Sequence, residues 1–268
     1  MRFSGVIHRL LRPSGVELLT RIAGLLLSAI AVQLTVGAIR AVVSGGQAGA
    51  VVSGGQAEGL SMKARVQRIE TGKADGNAWV IGDDDEVIVV DPGEDTDLVF
   101  EAIGDREIIA VICTHGHAAH TAGAPAVAER DESPVALHPK DRLHWREAHR
   151  DEMPEIEMEA GGSFEVADVT LEVLYTPGHT PGSVSLYCED LGVVFTGDAL
   201  LAAGPRAHEG SYPDFAAQLS AIGAELLTLP GTTRVLPGHG EETTIAAAEK
   251  SFDSWVTAGP VDSSASGD

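Results

Sequence analysis

Apolar and polar positions divide this chain into segments of unlike texture. Ile22 to Ile39 runs 18 residues without a charge between Arg21 and Arg40. As a helix it would be about 27 Å long against roughly 30 Å of bilayer hydrocarbon, so 22–39 is a candidate transmembrane helix, interrupted by Gln33, Thr35 and two glycines that leave a buried amphipathic helix or a vestigial segment as the other readings. Next, "AVVSGGQAG" at Ala41–Gly49 recurs as "AVVSGGQAE" from Ala50. Two copies are too few for a solenoid and read as a Gly/Ser/Gln-rich linker over 44–61. A globular domain is expected from Met62 to about residue 258, followed by a disordered Ser/Gly-rich tail at 259–268.

Inside the globular part the apolar period alternates between that of strands and that of helices. Strands are predicted at Arg65–Glu70, Ala78–Ile81, Glu86–Asp91, the run "IIAVICT" before His115, Val135–His138, Thr170–Tyr175, Ser183–Cys188, Val193–Thr196 and Arg234–Leu236. Helices are predicted at Thr96–Ile103, His120–Arg130, Pro139–His149, Asp214–Leu229 and Thr243–Val256. Interspersed strands and helices imply an α/β domain with sheets covered by helices.

A formal net charge of -22 gives a surface that repels phosphate backbones, which argues against nucleic acid as a partner. The two cysteines, Cys113 and Cys188, fall in apolar runs without CxxC spacing and read as core residues. Arg2, Arg9 and Arg12 before the apolar run favour a cytoplasmic N-terminus, a reading blurred by Arg40, Lys63, Arg65 and Arg68 beyond it. Translation from Met1 would give a membrane-associated protein, and translation from Met62 a cytoplasmic one.

Chemistry concentrates in "THGHAAH", where His115, His117 and His120 sit on a strand-to-helix loop. Other candidates share one setting, the end of an apolar strand beside glycine: His179 in "LYTPGHTPGS", Asp198 in "GVVFTGDALL" and His239 in "RVLPGHG". A lone loop histidine is ordinarily solvated, but five imidazoles and a carboxylate in matching contexts point to metal binding. His138, His144, His149 and His208 read as surface residues or supports behind the site, and His8 as part of the tail.

Residues 62–256 resemble the metallo-β-lactamase superfamily, nearest its glyoxalase-II-like metallohydrolase branch, through "THGHAAH", "TPGHTPGS", "FTGD" and "PGHG". The resemblance implies an αββα sandwich with a metal site at one edge of its sheets. It assigns His115, His117 and His179 to a first metal position, Asp198 to the bridging carboxylate, His120 and His239 to a second position, and Asp91 of "IVVDPG" to a structural role beneath the site. The chain departs from the family at Ala119, where the pattern H-x-H-x-D-H has an aspartate that ligates the second metal and orients the attacking hydroxide. The expectation is therefore one firmly bound zinc and a weak or absent second one. Separately, "LLTRIAGLLLSAIAVQLTVGAIRAVV" is similar to the last transmembrane helix of MarC-family proteins, which would make it a fused or read-through fragment.

A bound zinc lowers the pKa of its water to about 7 and polarises a carbonyl. A thiolate, whose conjugate acid has a pKa near 8.5, can leave unaided, whereas an amide nitrogen must be protonated. Hydrolysis of an acyl thioester or activated ester is thus the expected activity, with Asp198 and His120 in catalytic roles. Only 29 residues follow His239, too few for the glutathione-binding helical domain of glyoxalase II enzymes. The superfamily also contains mononuclear iron dioxygenases acting on persulfides, in which Fe2+ would use two histidines and Asp198; a catalytically silent, metal-binding or membrane-tethered protein is a third reading.

Overall fold

The computed structural model describes residues 64–71, 76–150, 152–205 and 214–258. The expected membrane helix at 22–39, the linker at 44–61, the tail at 259–268, His8 and His208 lie outside the described residues. Among the described residues no helix is long and apolar enough to cross a membrane.

Alternation of side chains along the strands builds two six-stranded sheets. The first contains, in spatial order, β1 (Arg65–Thr71), β2 (Gly76–Gly82), β3 (Glu86–Val90), β4 (Glu107–Ile112), β5 (Val135–Leu137) and β6 (Ile156–Glu157). β1 to β3 form an antiparallel meander, and β3 to β6 run parallel. The second contains β7 (Ser163–Val166), β8 (Val169–Tyr175), β9 (Val184–Cys188), β10 (Val193–Gly197), β11 (Arg234–Pro237) and β12 (Thr243–Thr244). It is antiparallel except for the β10–β11 pair.

Both faces of most strands are apolar because both faces are covered. Trp79, Ile81, Ile88, Val90 and Ile112 of the first sheet pack with Leu171, Val173, Leu186 and Phe195 of the second. Their strand neighbours Ala78, Val80, Val87, Val89 and Val111 point the other way, onto Val99 and Ile103 of α1 (Thr96–Ile103), Val127 of α3 (Ala124–Glu129) and Trp145 of α4 (Arg142–Ala148). Outside the second sheet, Val194 and Val235 meet Ile222 and Leu226, which follow α5 (Phe215–Ala221), and Ile245 and Ala248 of α6 (Ile245–Ala258). The layers are helix, sheet, sheet, helix, the expected αββα sandwich.

Several predicted helices are subdivided. His120–Arg130 is two helices, α2 (Ala118–Thr121) and α3, separated at Gly123, with Pro125 in the first turn of α3. Pro139–His149 opens as a 3-10 turn at Pro139–Asp141 before α4. Asp214–Leu229 runs as α5 into a π-helical segment at Ile222–Leu226. Thr243 and Thr244 belong to β12, not to the last helix, because they pair with Val235 and Arg234. The short strands β6 and β7 carry too little apolar alternation to be legible in sequence.

Candidate metal centre

The parallel strands deliver their carboxyl ends to one edge, where polar residues follow directly: Asp91 after β3, Thr114 and His115 after β4, and Asp198 and His239 after β10 and β11. Asp91 holds φ at +50°, an uncommon conformation for a non-glycine residue, and its carboxylate accepts from Thr114 N at 2.7 Å and Thr114 Oγ1 at 2.6 Å. That pair anchors the loop behind His115. His117 is extended, with ψ of 140°, immediately before α2, whose first turn then places His120 against the same cluster. Gly197, in the left-handed region at φ +48°, turns the chain at the end of β10 towards Asp198. Gly238 permits a close approach: a Cβ there would lie 2.6 Å from Asp198 Oδ1 and 2.7 Å from His120 Cε1.

Three donor groups result: His115, His117 and His179; His120, Asp198 and His239; and Asp91, His115 and His120. His117 Nδ1 lies 3.1 Å from His179 Nε2, and His120 Nε2 lies 3.2 Å from His239 Nε2. Asp198 stands between them, with Oδ2 3.4 Å from His179 Nε2 and 3.5 Å from His239 Nε2, and Oδ1 3.6 Å from His120 Nε2. Donors about 2.0–2.1 Å from a tetrahedral zinc are roughly 3.3 Å apart, so these separations suit a shared ion. Among the described residues, His115 Nε2 and Asp198 Oδ1 are buried without a hydrogen-bond partner, which an ion at this position would remedy. Asp91 belongs beneath the site: its oxygens are engaged by Thr114, and Oδ2 lies 3.2 Å from His120 Nδ1, holding that ring from behind.

Electrostatics divides the imidazoles. Burial, reinforced by neighbouring His120 and His179, pushes the pKa of His115 well below its ordinary value. At His120 burial acts in the same sense, but Asp198 and Asp91 outweigh it and raise the pKa to about 10. Burial opposes the charge on Asp198, yet His120, His115 and His179 around it hold the carboxyl well below the usual carboxylate range.

The sequence profile of the Metallo-beta-lactamase superfamily matches residues 71–239, which include every one of these donors. The chain belongs to that superfamily. The "Probable metallo-hydrolase YqgX" of Bacillus subtilis is 30% identical over 193 residues, covering 67% of this chain and 92% of the relative. "Hydroxyacylglutathione hydrolase GloC" of Haemophilus influenzae is 26% identical over 191 residues, 65% of this chain and 90% of GloC. The crystal structure of BLEG-1 B3 metallo-beta-lactamase superposes with a TM-score of 0.61 at 30% identity, covering 69% of this chain and 97% of BLEG-1. A MarC family integral membrane protein profile matches residues 1–43, all outside the described residues. Superfamily membership, the metallo-hydrolase relative and the donor clusters together support a metal-dependent hydrolase, and the clusters are typical of the superfamily's dinuclear site.

All six predicted ligands, His115, His117, His120, His179, Asp198 and His239, are therefore brought to one superfamily-type site. Ala119, half-buried on α2, offers no ligand atom. The other histidines surround the site unevenly. His138 is buried and stacks on Tyr175 with ring centroids 4.9 Å apart; the His144 ring lies 5.0 Å from that of His117; His149 Nε2 is 2.9 Å from Thr121 O.

Three supports escaped the reading of the sequence. Asn77 Nδ2 donates to Pro237 O at 3.0 Å and Gly240 O at 2.9 Å, gripping both sides of the His239 loop. Gln218 Nε2 donates to Asp198 O at 3.2 Å and Ala199 O at 2.9 Å. Asp141, fully buried, bonds to the loops of both His117 and His179. Asn77 directly follows the turn-like "ADG", and Gln218 is a polar residue on the covered face of α5, so neither stands out in the sequence. Asp141 had a signal available: it follows a strand end, as the ligands do.

Proposed function

We propose that this protein hydrolyses a thioester or activated ester, with zinc held firmly by His115, His117, His179 and Asp198 and more weakly at His120 and His239. The observation that carries the reading is the placement of His120, His179 and His239 within 3.4–3.6 Å of Asp198, with His115 and His117 grouped about His179, at separations suited to shared ions. Such an ion supplies an activated water and polarises the acyl carbonyl. The chain's own residues supply orientation. Asp91 secures Nδ1 of His120, leaving Nε2 to face Asp198 and His239. Asp198 Oδ1, buried, without a hydrogen-bond partner among the described residues and 3.6 Å from His120 Nε2, is placed to accept a hydrogen bond from the attacking water.

Ala119 bears on the substrate. A methyl group neither ligates a metal nor orients a nucleophile, so the second position has two imidazoles and a shared carboxylate. A reaction whose leaving group departs without a proton makes the smallest demand on such a site, which favours a thiolate over an amine. Similarity to GloC supports the same class, whereas similarity to BLEG-1 makes a β-lactam the competing substrate. The match of residues 1–43 to the MarC profile supports a membrane tether through 22–39.

The test is metal analysis after exhaustive dialysis, followed by assays of zinc- and iron-loaded protein on acyl thioesters, activated esters and a β-lactam. The expectation is one retained equivalent of zinc and turnover of thioesters above the lactam. Retention of two equivalents would remove the mononuclear reading. Iron content with oxygen uptake would select a persulfide dioxygenase, and silence under every metal a non-catalytic metal-binding protein.

A further inference from the structure

Asp141 joins the two loops on which the first metal position depends. It ends the 3-10 turn after β5 and is fully buried. Its Oδ2 accepts from Gly116 N at 2.8 Å, the amide between His115 and His117, and from Thr180 Oγ1 at 2.6 Å, the residue after His179. Its Oδ1 accepts from Gly182 N at 2.6 Å. The Thr180 hydroxyl is also 2.7 Å from Ser183 Oγ, which closes the turn that carries His179. One loop leaves the first sheet and the other the second, so the spacing between their imidazoles is set across the sandwich and not within either loop.

We propose that Asp141 is a positioning residue that sets the separation of His117 Nδ1 and His179 Nε2, and with it the affinity of the first metal position. The inference rests on the metal reading given above. All three of its partners are donors, and two are backbone amides that cannot reverse their role. An asparagine would turn its own NH2 towards one of those amides and leave it buried and unsatisfied, so the loops would drift apart.

The experiment compares wild-type, Asp141→Asn, Thr180→Val and Thr180→Ser proteins, full length and metal-free. Each is titrated with zinc against a chromophoric chelator and with Co2+, whose visible absorption reports the ligand geometry. Removing partners behind metal ligands costs about 10–100-fold in affinity. Asp141→Asn is expected to weaken the first equivalent on that scale and alter the cobalt spectrum. Thr180→Val should follow in the same direction with a loss of about tenfold, and Thr180→Ser, which keeps the hydroxyl, should match the wild type. If Asp141→Asn does not fold, the two Thr180 variants decide. Unchanged zinc affinity and cobalt spectrum in Thr180→Val, even with a lowered melting temperature, would overturn the proposal. Wild-type protein that takes up no metal would overturn the metal reading and this inference together.

Discussion

His120 is the group through which pH should control the second metal position. Held between Asp198 and Asp91, its pKa stands at about 10 in the metal-free protein. At pH 7 the ring is therefore charged, and an ion arriving at Nε2 must displace a proton. Three pH units correspond to a penalty of at most roughly 4 kcal/mol, or about 10³ in affinity, and an ion already held by Asp198 weakens that carboxylate's pull on the ring and reduces it. Affinity at this position should rise by up to about tenfold per pH unit from pH 6.5 and level off at or below pH 10, where the ring has lost its proton. His115, pushed well below its ordinary pKa, is already neutral above pH 7 and adds no such slope to the first position. Competition titrations between pH 6.5 and 9.5 would measure both affinities. Calorimetry in two buffers of different ionisation enthalpy should find one proton released with the second equivalent. A second affinity that is flat over this range, or no release, would refute the assignment of His120 as a ligand charged in the metal-free state.

The same shift bears on folding, with the opposite dependence. The folded pKa of His120 lies above that of an unfolded histidine, so the stabilisation is fully present below about pH 6.5 and lost as pH rises through about 10. In chelator-treated protein this group should withdraw on the order of 5 kcal/mol over that window. Denaturant unfolding at pH 7, 8.5 and 10 would show the decline, and constant stability would contradict it.

Ala119→Asp should restore the second ligand set: two metal equivalents should survive dialysis, and thioester kcat/KM should rise by at least about tenfold if the missing carboxylate limits turnover. Gly238→Ala should disrupt metal uptake, because the new methyl falls within 2.7 Å of both Asp198 Oδ1 and His120 Cε1; overpacking of this kind costs about 1–3 kcal/mol, visible as a lower unfolding midpoint. Phe195→Ala opens the core between the sheets, where the ring meets Trp79 edge-on at 5.9 Å, and should cost about 3–5 kcal/mol in denaturant unfolding. The chain begun at Met1 should sediment with membranes, whereas one begun at Met62 should stay in the supernatant; equal partitioning would dismiss 22–39 as an anchor.

The candidate donors that the fold brings together were legible in the linear chain because His115, His179, Asp198 and His239 stand just beyond the ends of buried strands. Tight glycine-rich turns at His179, Asp198 and His239 mark those ends as surely as the apolar runs do. Sheets covered by helices were legible for a related reason, since strands such as "AWVI" and "VIVV" are apolar on both faces and demand cover on both, while the αββα order itself followed from the family resemblance. Ala119 could be seen as a missing carboxylate only by comparison with the superfamily's H-x-H-x-D-H pattern. What the linear chain could not express is how loops distant in sequence are held in register. Asp141 links Gly116 to Thr180 and Gly182, Asn77 grips the His239 loop, and Gln218 braces Asp198, each by hydrogen bonds to atoms far away along the chain. Backbone amides and carbonyls look alike at every position, so a side chain that satisfies them leaves no periodic trace. The proton on His120 likewise exists only once folding has set Asp91 and Asp198 on opposite sides of one buried ring, where desolvation makes their fields strong.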